Sequence, residues 1–172
     1  MTGDTLHMND VEVFSASMQP GFFRPGDVMI SLRNLNAVLV FNQDDWRLKY
    51  LSIGKVIRHH DPDFVDGNTI SIFDNFQLGG REDGMQSRII VEDARTGETR
   101  VVFSGNPERQ FYTEILGKHQ RLPNGNQLLI EAQAGRIIEV DTEGRLVWEL
   151  NNLIEPGTLA AVTDAIRLPA SL

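Results

Sequence analysis

A chain of 172 residues with a formal net charge of −8 is long enough for one core and carries the wrong sign for a nucleic-acid or anionic-membrane partner. It has no cysteine, which excludes disulfides and thiolate metal sites. No apolar run approaches the roughly 20 residues of a membrane span, and MTGDTLHMND lacks the basic start and apolar stretch of a signal peptide.

The first predicted element is LHMNDVEVF, residues 6–14, where Leu6 and Met8 alternate with His7 and Asn9 as in a strand with one wet face. If the strand begins at Leu6, His7 and Asn9 share a face. Residues 15–24, SASMQPGFFR, read as a loop whose two phenylalanines face a lid or a partner. GDVMISLRNLNAVLVFN then reads as two strands turning near Asn34-Leu35-Asn36, with Arg33 ending the first. WRLKYLSIG from Trp46 supplies a third run.

The stretch KVIRHHDPDFVDGNTISIFDN, residues 55–75, sets His59 and His60 against an Asp-Pro turn and leads into another strand. Neighbours on a strand face opposite ways, so His59 reads as structural or exposed while His60 points to the chemistry. FQLGGREDGMQSR, residues 76–88, is a solvated insertion between two strands, TISIF and RIIVE, that are apolar enough to be covered on both faces. In the third unit, turns at Asn124-Gly125, Ala134-Gly135 and Glu143-Gly144 fall about ten residues apart, the spacing of a β-meander. Trp46 and Trp148 read as packing residues and His119 as structural. After Asn152, EPGTLAAVTDAIRLP reads as a short helix starting at Pro156 or as one strand.

These elements repeat. After Gly26, Gly67 and Gly125 the chain reads DVMISLRN, NTISIFDN and NQLLIEAQ, each ending in a polar residue at one offset: Asn34, Asn75 and Gln133. A histidine-bearing run precedes each glycine, and two further β-runs follow it. The reading is an all-β chain of about three four-stranded antiparallel blades, part of a β-propeller. The blade units are about 1–54, 55–107 and 108–152, with a closing segment at 153–172.

The segments LHMNDVEV, SLRNLNAVLVF, HHDPDF, NTISIFDN and LPNGNQLLIEAQAGRIIEVDTEGRLVWE resemble the arylsulfotransferase family over about residues 6–152. The resemblance implies a six-bladed propeller with its site at the central channel, of which this chain corresponds to the C-terminal half. It implies His7 and Asn9 as sulfate-contacting residues, Arg33 as an anion clamp and His60 as the nucleophile. The implied reaction moves a sulfuryl group from an aryl sulfate to a phenolic acceptor through a sulfohistidine, with no metal and no cofactor. Neutral imidazole suits that step, because its ordinary pKa of about 6.5 leaves the lone pair free near neutral pH. The resemblance also implies a periplasmic or extracytoplasmic location.

Two readings from other classes stand beside it. One is a non-catalytic propeller fragment that binds a partner or pairs with a second copy to complete the ring, since three blades leave open edges. The other is a quinone-cofactor or sugar-related propeller enzyme, disfavoured by the absence of a cofactor-type motif.

Overall fold

Alternating apolar residues and glycine turns build three successive meanders in the computed structural model, which describes residues 3–76 and 86–169. Strands β1 (Met8–Val13), β2 (Val28–Leu32), β3 (Ala37–Phe41) and β4 (Leu48–Ile53) form the first sheet in that order. The second holds β5 (His60–Phe64), β6 (Thr69–Asp74), β7 (Arg88–Asp93) and β8 (Thr99–Ser104). The third holds β9 (Lys118–Arg121), β10 (Gln127–Glu131), β11 (Arg136–Val140) and β12 (Leu146–Asn151). Every pairing is antiparallel between sequence neighbours, which is the blade unit of a β-propeller. The first strands meet across blades, β1 with β5 and β5 with β9, with β2 also reaching β5, so the first strands line the axis.

The cores lie between blades. Phe14, Phe23, Met29, Val38, Val40, Phe64, Ile70, Ile72 and Ile90 fill the first interface. Phe73, Ile89, Phe103, Phe111, Leu129, Ile138 and Val140 fill the second. Each fully buried side chain of this kind contributes about 1.5–3 kcal/mol against its exposed state. Residues of β6 face both interfaces, as its apolar run predicts.

A third cluster, Leu122, Leu128, Ile130 and Ile137, sits on the far face of the last blade. It is covered by Val162 and Ala165 of the segment that follows β12. That segment forms a short hairpin, β13 (Leu153–Glu155) and β14 (Thr158–Leu159), and then an extended strap. Val162 N–H donates to Ala132 O at 3.0 Å, and Arg167 N–H donates to Gln120 Oε1 at 2.8 Å. The equivalent face of the first blade is bare, with Val11, Val13, Leu51 and Ile53 exposed.

Several expectations need correction. Residues 153–169 contain no helix; Gly157 turns the chain back with φ of 86° after Pro156, giving two short strands. Phe23 is fully buried and Phe22 partly so, because the 15–24 loop folds inward and packs Phe23 edge-on against Phe64 and Tyr50. Trp46 is 64% exposed at the tip of the β3–β4 turn, and Trp148 is 46% exposed on the outermost strand of its blade. Neither is a packing residue of a blade interface, because both fall at the periphery of the sheets. The inserted loop of residues 76–88 lies largely outside the described residues, at 77–85. No helix among the described residues is long and apolar enough to cross a membrane.

Candidate functional site

The site forms where β5 begins. Arg58 and Asp61 both take left-handed backbone angles, and the register slips between His60 and Pro62. The slip is a β-bulge with Asp61 as the extra residue, which re-aims the side chains on either side. Pro62 is tolerated because β5 is the inner, edge strand of its blade, where a missing N–H leaves no ladder bond unmade.

His60 is buried and held at both ring nitrogens. Nδ1 lies 2.8 Å from Asn75 Oδ1. Asn75 donates its Nδ2 to Thr113 O at 2.8 Å and Leu116 O at 2.9 Å, so its oxygen must face the ring. That fixes His60 as the Nδ1–H tautomer, with the lone pair on Nε2. The backbone N–H of Leu116 donates to this lone pair at 3.2 Å, near the long end of the hydrogen-bond range. The loop reaches so close because Gly117 follows Leu116: a Cβ there would meet the Phe73 ring at 2.6 Å. Burial holds the His60 pKa below its ordinary value; the Asn75 bond opposes it, and Arg33 adds to the lowering. The imidazole is therefore neutral at pH 7.

His59 is fully buried and belongs to a second relay. Asn9 Nδ2 donates to His59 O at 2.9 Å, so Asn9 Oδ1 faces Ser31, whose hydroxyl donates to it at 2.5 Å. Ser31 then accepts from His59 Nε2–H at 3.0 Å. His59 Nδ1 is left as a buried lone pair with no partner. Burial, then the neighbouring His60 and Arg33, pulls the His59 pKa to about 4.

Arg33 follows β2 in a single 3-10 turn (Arg33–Leu35) and is 8% exposed. Its Nη1 reaches Asn34 Oδ1 at 3.3 Å, an acceptor shared with Arg58 Nη1 at 3.1 Å, and its Nε has no partner. Burial and then Arg58 lower its pKa, with Glu114 opposing. Two guanidinium groups meeting on one neutral oxygen form a local field that favours an anion.

His7 is half-exposed and precedes β1 rather than lying in it, with φ of 49°. Asp4 accepts from its backbone N–H at 2.8 Å and meets its Nδ1 at 3.0 Å. The alternation that would put His7 and Asn9 on one face stops short of His7, because the left-handed residue breaks it. Both still reach the same corner: Asn9 by its bond to the His59 carbonyl, His7 by the bond its carbonyl accepts from the Arg33 backbone N–H at 3.1 Å.

The corner at the third blade is built from carboxylates. His119 is buried, its Nδ1 3.0 Å and its backbone N–H 2.6 Å from Asp61 Oδ2, and its Nε2 2.7 Å from Ser71 Oγ. Lys118 Nζ donates to Asp61 Oδ1 at 2.9 Å. Burial pulls the His119 pKa down, but Asp61 and Asp63 outweigh it and leave it raised. Burial likewise drives Asp61 up, and the bonds from His119 and Lys118 leave it lowered.

Sequence reasoning missed Asn75, Ser31 and the Leu116 amide as partners of the histidines. A signal for Asn75 existed: it shares its repeat offset with Asn34 and Gln133, and all three accept a hydrogen bond from a neighbouring loop or side chain.

The arylsulfotransferase (ASST) family profile matches residues 2–153. No curated protein sequence matches the chain. Among solved structures, apo AztD from Citrobacter koseri is similar at 13% identity and a TM-score of 0.44, covering 80% of this chain and 37% of that one. BamB from Moraxella catarrhalis is similar at 12% identity and a TM-score of 0.32, covering 87% of this chain and 65% of that one. The chain thus spans less than two thirds of the length of either.

Proposed function

The chain belongs to the arylsulfotransferase family, and we propose that it moves a sulfuryl group from an aryl sulfate to a phenolic acceptor through His60. One observation carries the reading: His60 is locked as a neutral imidazole with its Nε2 lone pair toward a single backbone N–H, beside a buried guanidinium with an unpartnered Nε. In the proposed reaction the donor displaces the long Leu116 contact. Nε2 attacks sulfur, the S–O bond to the aryl oxygen breaks, and the phenolate leaves with the electron pair. Asn75 supports the imidazole as it gains charge, in the way an orienting group supports a base. Arg33 holds the sulfuryl oxygens and His7, at the site's open side, meets the charge on the leaving oxygen. Asn9 acts through the Ser31–His59 relay, since both ends of its amide are engaged there. An acceptor phenolate then takes the sulfuryl group from nitrogen and frees the imidazole.

The test is turnover of p-nitrophenyl sulfate with phenol as acceptor. Wild type is expected to release p-nitrophenol, and His60→Ala to release none while keeping its circular dichroism. Equal release by the variant overturns the role of His60.

The assembly reading has its own support in the bare apolar face of the first blade. A second copy seated there would start to complete a ring, but full closure requires the strap on the third blade to move or to become part of the contact. Light scattering across a concentration series distinguishes a dimer from a monomer.

A further inference from the structure

Beside the His60 corner, the inner strands carry a second cluster that sulfuryl transfer does not use. β5 presents Asp61 and Asp63 and β9 presents His119, with one ligand atom of each within 4.8 Å of the others. His119 has the setting of a metal-binding imidazole. Its Nδ1–H donates to Asp61, which Lys118 and the His119 backbone hold in turn. A carboxylate on one ring nitrogen fixes the tautomer and ring plane and turns the other nitrogen's lone pair toward an ion.

That other nitrogen, Nε2, lies 2.7 Å from Ser71 Oγ and 3.7 Å from Asp63 Oδ2. The longer separation exceeds a hydrogen bond and suits two ligands of one ion: with bonds of about 2.1 Å, neighbouring ligands around a tetrahedral centre sit roughly 3.4 Å apart. Asp63 accepts no hydrogen bond among the described residues and is 38% exposed. Together with Ser71 it lines a cavity of about 470 Å³, which gives solvent and ions a way to the Nε2 side. Asp10 on β1 and Asp61 add negative charge around Asp63.

We propose that Asp63 and His119 Nε2 bind a divalent transition-metal ion, with the ion displacing the Ser71 hydroxyl from the Nε2 lone pair, water completing the coordination and Asp61 as the positioning carboxylate. A mixed imidazole and carboxylate set matches zinc best. The ion ties β5 to β9 and so clamps the second blade to the third at the axis. The residues come from two blades, with His119 at least 48 positions from the rest, so no ligand spacing in the sequence announces them.

The test is calorimetric titration of chelator-treated full chain with Zn²⁺, with the visible bands of Co²⁺ as a second readout. Wild type is expected to take up one ion per chain. Asp63→Asn sits at a half-exposed position without hydrogen bonds, so it keeps the fold, and it is expected to weaken binding about 100-fold. Asp61→Asn weakens it about tenfold or more. Glu143→Gln, on the exposed β11–β12 turn, leaves it unchanged. Silence from folded wild type overturns the site, and equal binding by wild type and Asp63→Asn reduces it to an adventitious ion only. Both readouts are independent of p-nitrophenyl sulfate turnover, so the site and the transferase reading fail separately.

Discussion

His60 and His119 stand near the start of the inner strands of consecutive blades, two register positions apart, and they are opposite in character. His60 meets an amide oxygen and a backbone N–H, and burial, aided by Arg33, keeps it neutral. His119 meets a carboxylate, and against the lowering effect of burial the bond to Asp61 and the negative charge around it raise its pKa. Both imidazoles face the axis side of the molecule from an inner strand, and the partner from the adjoining strand or loop decides which chemistry each has. Asp61, the bulged residue next to His60, is that partner for His119, so one irregularity in β5 separates the two corners.

The largest effect should come from breaking the charged corner. Asp61→Ala leaves the His119 imidazole, its backbone N–H and the Lys118 ammonium without their acceptor, and removing one partner of a buried pair costs about 3–5 kcal/mol. Urea unfolding with an unchanged m-value would measure it; a loss below about 1 kcal/mol would mean that water replaces the carboxylate.

A smaller, sharper effect should follow from giving the neutral corner the chemistry of the charged one. Asn75→Asp sets a carboxylate on His60 Nδ1 and removes the donor to Thr113 O and Leu116 O, costing about 1–3 kcal/mol for the stranded carbonyls. The added charge raises the His60 pKa, so the rise of p-nitrophenyl sulfate turnover with pH should move to higher pH. An unmoved profile would separate Asn75 from the protonation of His60.

The third effect is a slope. Unfolded His59 takes a proton below about pH 6.5, whereas the folded protein resists until about 4, so this group removes stability as pH falls through that window. The two-and-a-half-unit gap corresponds to roughly 3 kcal/mol at its foot. His59→Gln should flatten the acid limb between pH 6.5 and 4 relative to wild type. Parallel pH profiles for the two proteins would show that His59 takes up its proton as readily in the folded protein as in the unfolded chain.

Much of the architecture was legible in the sequence because each blade is a local object. Strand alternation and the turns at Gly26, Gly67 and Gly125 lie within a few residues of what they specify, and the sheets follow them. What links the blades was not legible. Leu116 meets His60 across 56 positions, and Ser31 meets His59 across 28, with no local pattern to mark either. Trp46 and Trp148 misled because size suggests burial, whereas a turn tip and an outermost strand offer nothing to bury against. His7 misled because one left-handed residue stops an alternation that composition alone would continue.

The strap across the third blade bears on how the chain can polymerise. Stacked blades are a one-dimensional array, and two bare ends would let copies add head to tail into a fibre without limit. Val162, Ala165 and the Arg167–Glu139 ion pair cover one end. With the strap in place, the apolar cluster of the third blade is already covered from within the chain and is not free to stack on another sheet.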